Sequence, residues 1–377
     1  NSTVICVNGQ PRGCNPGYGL GAVIVVDDKS QKADFGPVVD SSTAPPADLI
    51  SRNAPGQMPW AFDPSVAWVT DFGADPTGAT DSTAAIRKAI SAAHANGSDE
   101  VFLPRGKYNL SGTLTLYPNT RFFGLPGGYT QLQAPDWNPN GQVSFLLQAG
   151  TGDAASLAGK AMAVDIAFYL PTTGNTAASA TQQAYLADVH WEVGPQSVMA
   201  WCYNLFQYNN GLNVTAPTRN IVQIDNGGGG RIYGWQGGGD YGPNSASGFS
   251  LRVSNNSQTT LYGANIEHAS GAAFYGFVNA TNVRLLGQKS EDGGERHWFY
   301  VSNSNNVMLS GLTNHDPDSA LFIDAASTNV SITASNYYAV TSGFNNPRII
   351  DPTAQYPYAN NYPLFKLGHF VNDFHVP

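Results

Sequence analysis

Two hydrophobic periods succeed one another along this chain. Ile86, Ala89, Ile90 and Ala93 recur at helical spacing, so one apolar stripe runs along a helix over roughly residues 82–94, with Asp81 placed to cap it. Beyond it the pattern changes to short apolar runs divided by Gly, Asn, Ser and Asp. Val101-Phe102-Leu103, Lys107-Tyr108-Asn109-Leu110 and Thr113-Leu114-Thr115-Leu116 open a series of strands that continues to about residue 341. Phe274-Tyr275-Gly276-Phe277, His297-Trp298-Phe299-Tyr300-Val301 and Leu321-Phe322-Ile323 supply further strands late in the series.

That series carries a repeat. Gly263, Gly287, Gly311 and Ala334 are 24, 24 and 23 residues apart, and Asn282-Val283, Asn306-Val307 and Asn329-Val330 each lie five residues before the last three anchors. A fixed period in the low twenties means coils stacked into a solenoid. The expected fold is all-β, a right-handed parallel β-helix with an N-terminal capping α-helix that shields the open end of the stack. The asparagines are expected to form a ladder at a tight turn. Four positions past the anchors stand Glu267, Glu291, His315 and Tyr338. Equivalent positions on stacked coils lie about 4.8 Å apart, so the repeat places two carboxylates side by side.

The expected organisation is an arm over 1–66 lying on the main body, a β-helix over 67–341 and an extension over 342–377. Val23-Ile24-Val25-Val26 predicts a strand within the arm. The Gly227-Gly228-Gly229-Gly230 run lacks the Gly-Lys-Ser/Thr of a phosphate loop and reads as a tight turn or close coil packing. Only 12% of residues are charged and the net charge is −9, which weighs against nucleic acid, anionic membranes and polyanionic substrates. No apolar run is long enough to span a bilayer. Asn-x-Ser/Thr sites at Asn1, Asn96, Asn109, Asn213, Asn255, Asn279 and Asn329, with Cys6 and Cys14 close enough to clip a loop, favour a secreted, N-glycosylated protein. Cys202 is left over and reads as a buried thiol. No zinc-ligand spacing and no Asp cluster suited to calcium is present. The expectation is a monomer with no cofactor or metal, acting on a polysaccharide or oligosaccharide.

The stretch Trp68 to Leu116, with Asp71-Phe72-Gly73-Ala74, Thr80-Asp81-Ser82-Thr83-Ala84-Ala85-Ile86 and Phe102-Leu103-Pro104-Arg105-Gly106-Lys107-Tyr108, resembles the opening segment of the pectin-lyase-like β-helix superfamily. Three later elements are similar to glycoside hydrolase family 55, the β-1,3-glucanases of laminarin type. They are His190-Trp191-Glu192-Val193-Gly194-Pro195-Gln196, Asp225-Asn226-Gly227-Gly228-Gly229-Gly230, and Tyr262-Gly263-Ala264-Asn265-Ile266-Glu267-His268 with Gly287-Gln288-Lys289-Ser290-Glu291. Glu192 stands where that family has Gln, and the chain has length for one β-helix where family members pair two.

The resemblance implies metal-independent, inverting hydrolysis of a β-1,3-glucan, with Glu291 as general acid and Glu267 ordering the attacking water. The water-activating base is open among Glu267, Glu192 and Asp240. Substrate contacts are expected from Gln288, His268, Gln196, Glu192, Lys289 and His315, with Trp235 and Trp298 as stacking platforms; Tyr233 and Tyr275 are further aromatic candidates. Two alternatives stand beside this reading. A polysaccharide lyase would use Lys289, Arg296 or His297 near Glu291, and a β-helix without activity would only bind glycan.

Overall fold

The computed structural model describes residues 23–26, 29–32, 47–59, 61–169, 185–204, 220–238, 248–267, 273–291, 297–315, 321–324, 326–333, 336–338, 349–350 and 374–376. Cys6, Cys14, Asn1, Asn213, Asp240, His268 and Arg296 lie outside them. Apart from Val23–Val26 and Lys29–Lys32, which pair separately, the described strands form a parallel β-helix. Eighteen strands make one continuous sheet that bends at a corner into a first and a second face, and nine strands make the third face. Neighbouring coils pair in parallel, as Val283 with Val307 and Val307 with Val330 on the first face, and Gly276 with Tyr300 on the third. Inward residues such as Ile266, Leu285, Phe277 and Val301 fill the interior and are fully buried.

The capping helix is Thr83–Ala95, with Ile86, Ala89, Ile90 and Ala93 all buried, and it packs against the strands Ala67–Trp68, Glu100–Phe102 and Leu114–Leu116. It starts one residue later than the pattern suggests. Ser82 takes the capping position, while Asp81 accepts from the Thr83 backbone N–H at 3.1 Å and the Thr83 hydroxyl at 2.6 Å. The loop before the helix is tied to Asp75, whose carboxylate accepts from the backbone N–H groups of Thr77, Ala79 and Thr80. Hydrogen bonds led by Thr77 hold that carboxyl down at about 2. Much of the superfamily-like opening segment therefore does structural work, ending the stack and starting its first coil.

Turns repeat as the coils do. Asn282, Asn306 and Asn329 all take left-handed backbone, at φ 57°, 57° and 52°. Asn306 Nδ2 donates to Asn282 Oδ1 at 2.6 Å, while Asn329 Nδ2 shifts to the neighbouring Asn305 Oδ1 at 3.1 Å. The pattern did not reveal a second column: Asn255, Asn279 and Asn303 are also left-handed, and Asn303 Nδ2 donates to Asn279 Oδ1 at 2.6 Å. The glycine run is a point of close coil approach. A Cβ on Gly229 would sit 1.8 Å from the Gln258 carbonyl oxygen of the next coil, where only hydrogen fits.

Val23–Val26 pairs antiparallel with Lys29–Lys32. Residues 49–59 and 61 lie across the first face. Arg231 Nη1 donates to the Ala54 carbonyl at 2.6 Å, Tyr262 donates to Asn53 Oδ1 at 2.7 Å, and Trp68 Nε1 donates to the Ala61 carbonyl at 2.9 Å. The third face runs past residue 341, because Ile349–Ile350 pairs with Leu321 and Phe322. On the first face, Phe374–Val376 pairs antiparallel with Val330, Ser331 and Ile332 and so covers an edge.

Candidate functional site

The second face carries the repeat-derived carboxylates. Strand register pairs Asn265 with Lys289, Ile266 with Ser290 and Glu267 with Glu291, so the two glutamates occupy one position on adjacent strands. Ile266 and Ser290 point into the core, at 0% and 1% exposure; alternation then turns Glu267 to the outer side, and Glu291 holds the same register position on the next strand. The column continues in the backbone, with Ser290 beside Asn314 and His315 beside Tyr338. Glu267 is fixed by two donors. Asn265 Nδ2 donates to its Oε1 at 2.9 Å, and Lys289 Nζ makes an ion pair with the same oxygen. Lys289 therefore contacts the proposed water-ordering carboxylate directly.

Several expectations are corrected. Gln288 points inward and is 2% exposed, with its amide donating to the Ser290 hydroxyl, so it offers nothing to a ligand on the outer side. Trp235 and Trp298 are each 1% exposed and belong to the hydrophobic core, where neither indole presents a face to solvent. Tyr275 is fully buried and stacks on Phe299, and Tyr233 is covered by the arm, with its hydroxyl donating to the Asn53 carbonyl. Cys202 is a buried free thiol, pushed up to about 12 by burial.

Glu192 and Gln196 lie elsewhere, where the third face turns into the first. Glu192 is buried, accepts from Asn226 Nδ2, and lies 3.5 Å from His190 Nε2. Asp225 joins this network by accepting from Gln223 Nε2 at 2.7 Å and Asn255 Nδ2 at 2.5 Å. Burial holds His190 below its ordinary range, against the opposing pull of Glu192 and Asp225. The His-Trp and Asp-Asn-Gly elements thus meet each other, but as an internal turn network. Gln196 is exposed and lines a cleft of about 420 Å³ with Arg231, Tyr262 and Arg284 on the first face. Neither residue joins the Glu267–Glu291 column, because they end third-face segments and the glutamates end second-face strands.

A second cluster on the same side of the molecule was missed by the sequence reading. Val164, Ala200, Tyr233, Tyr262, Leu286 and Ser310 are in register on the first face. The residue after each makes the corner into the second face in left-handed backbone: Asp165 (φ 55°), Trp201 (52°), Gly234 (57°), Gly263 (60°), Gly287 (69°) and Gly311 (69°). Asp165, Trp201 and Gly234 border a cleft of about 580 Å³, together with Pro126, Gly127, Tyr203 and Gln236. Burial pushes the Asp165 carboxyl up to about 6. Extending the glycine frame backwards could have found these residues, but the intervening segments are longer than 24 residues and the period is lost. Among the described residues no group of three or more His, Cys, Asp or Glu is arranged to hold a metal, and no helix is long and apolar enough to cross a membrane.

Residues 67–230 match the family model described as rhamnogalacturonase A/epimerase, pectate lyase-like. The chain carries a parallel β-helix, and the matched residues, less than half of the chain, are similar to that family. This β-helix is 40% identical over 96 residues to mannuronan C5-epimerase AlgE3 of Azotobacter vinelandii, a stretch that is 23% of this chain and 5% of that protein. It is 29% identical over 281 residues to the non-secreted LysM effector LysM15 of Penicillium expansum, covering 71% of this chain and 17% of that one. An iota-carrageenase structure from A. fortis aligns with a TM-score of 0.48 at 13% identity, covering 76% of this chain and 62% of that one. The narrower likeness to glycoside hydrolase family 55 rests on the residues quoted above.

Proposed function

We propose that this β-helix is a glycoside hydrolase that cleaves a neutral glucan, β-1,3-linked by its resemblance to family 55. The observation that carries the reading is the pairing of Glu267 with Glu291 on adjacent strands of the second face. Glycosidic cleavage needs one carboxylic acid to protonate the leaving oxygen and a second group to handle water. The ion pair with Lys289 suits Glu267 to remain a carboxylate. Glu291, one strand spacing away, then takes the proton-carrying role. Inverting enzymes separate their carboxyls by about 6.5–9.5 Å and retaining ones by about 5–5.5 Å. A strand spacing of about 4.8 Å requires the side chains to splay if the reaction inverts, and proton NMR of the first-formed anomer decides the matter.

Elimination or epimerisation of a uronate glycan is the second reading. It is favoured by the likeness to an epimerase and by a lysine on the same face. Incubation with laminarin, other β-glucans, polygalacturonate and alginate separates the two. New reducing ends without absorbance at 235 nm support hydrolysis, absorbance at 235 nm supports elimination, and a changed proton NMR spectrum of the uronate polymer with neither signal supports epimerisation. Absence of both products across all four would overturn the hydrolase assignment. Secretion, N-glycosylation and a monomeric state belong to this proposal and are checked by mass spectrometry and light scattering of protein from its native source.

A further inference from the structure

We infer that the corner cleft formed by Asp165, Trp201, Tyr203 and Gln236 is a binding subsite for a pyranose unit of a neutral glycan. The inference deepens the proposed function and rests on it for the choice of a polysaccharide ligand. It starts from a backbone anomaly. Six corner positions in register share left-handed backbone, and four of them are glycine. Tryptophan is bulky and pays for that conformation, so folding alone would favour glycine at position 201. Burial does not supply the compensation, because Trp201 is 46% exposed. A strained, exposed aromatic kept among glycines points to a role outside the fold.

The surroundings say what that role is. Gly234 lies beside the indole, since a Cβ there would stand 3.0 Å from Trp201 Cδ1, and a side chain would crowd the ring. The ring is left as a flat apolar surface over a cleft whose other lining groups are Tyr203, Gln236 and Asp165. A sugar ring matches this arrangement, with an apolar face for the indole and hydroxyls for polar groups around it. Among the described residues no donor is paired with the Asp165 carboxyl, so it is available to hydroxyls. Among the described residues no lysine or arginine lines the cleft, so these side chains offer an anionic sugar no counter-charge and suit a neutral one. The cleft also lies on the right path. Tyr203 pairs with Gln236, and Gln236 with Asn265, on the strand that holds Glu267. One strand spacing, about 4.8 Å, separates Gln236 from Asn265, and Glu267 stands two residues further along that strand, so a chain along the second face reaches both.

The test is calorimetric titration of the full chain carrying Glu291→Gln, with laminarihexaose, cellohexaose and trigalacturonate as probes. The expected result is binding of at least one neutral hexasaccharide and none of trigalacturonate. Trp201→Ala should weaken the neutral binding about tenfold or more, and Trp201→Phe by less than that. Trp201→Gly should lose binding equally while melting no lower than Trp201→Ala, which separates loss of the ring from loss of the fold. Unchanged affinity in Trp201→Ala, no binding of either neutral probe, or tighter binding of trigalacturonate overturns the inference. Failure of the hydrolase reading shows separately, as Trp201-dependent binding by a wild-type chain that releases no reducing ends.

Discussion

Replacing Trp201 with alanine and with glycine measures the strain at the corner directly. Both changes remove the same indole. About half of its surface is buried, because the residue is 46% exposed; that is roughly 100 Å², worth about 2.5 kcal/mol as an upper figure. The backbone distinguishes the two variants. Alanine at φ 52° keeps the left-handed penalty of about 1–2 kcal/mol, whereas glycine avoids it and loses about 0.5–1 kcal/mol of chain entropy instead. Trp201→Gly should therefore be more stable than Trp201→Ala by about 0.5–1 kcal/mol. With a urea slope of about 3 kcal/mol/M, the midpoints differ by roughly 0.2–0.3 M. Thr260, in the strand Gln258–Tyr262 with ordinary backbone, is the control. There the order should reverse, with alanine the more stable. If Trp201→Ala equals or exceeds Trp201→Gly in urea midpoint, at equal slopes, the strain argument is wrong.

Three further outcomes are expected. Asp165 has its folded value raised by burial to about 6, so between pH 4 and 6 the native state holds the proton more tightly than the unfolded chain. Stability then falls as pH rises through that window. Asp165→Asn should remove the slope and gain on the order of 1 kcal/mol at pH 7, once the half-exposed carboxyl is discounted for screening by water; urea midpoints at pH 4 and 7 that move in parallel with wild type would refute it. Asn306→Ala breaks the 2.6 Å bond to Asn282 and leaves alanine at φ 57°, costing about 2 kcal/mol. Asn306→Gly loses only the bond and should cost less than alanine, by the same denaturation measurement. Glu291→Gln should lower the rate of reducing-end release by about 10²–10⁴-fold with an unchanged melting temperature, and full activity in that variant would remove Glu291 from the acid role.

Where the chain repeats strictly, the sequence was enough to place backbone. Gly263, Gly287 and Gly311 mark corners because a left-handed turn on every coil favours the residue without a Cβ, and the spacing between them carries Glu267 and Glu291 into register. The asparagine column was legible for the same reason. Side-chain direction was harder. Gln288, next to a left-handed glycine, faces inward. The tryptophans offered as platforms, Trp235 and Trp298, fill the interior, since aromatic character alone does not distinguish a sugar surface from a core.

The sequence by itself determined the architecture: a capping helix, stacked coils and a paired-glutamate column all follow from periods of 3.6, 2 and about 24 residues, which are local and additive along the chain. Only the tertiary structure decided which surfaces are open. Glu192 and Gln196 went to a different corner from Glu267, and Asp165 and Trp201 came to share one cleft although 36 residues separate them. The physical reason is that hydrogen-bond register fixes each strand against its neighbour, while segments of unequal length between faces shift the numbering from coil to coil. Proximity across coils is therefore set by pairing in space, and sequence distance does not record it.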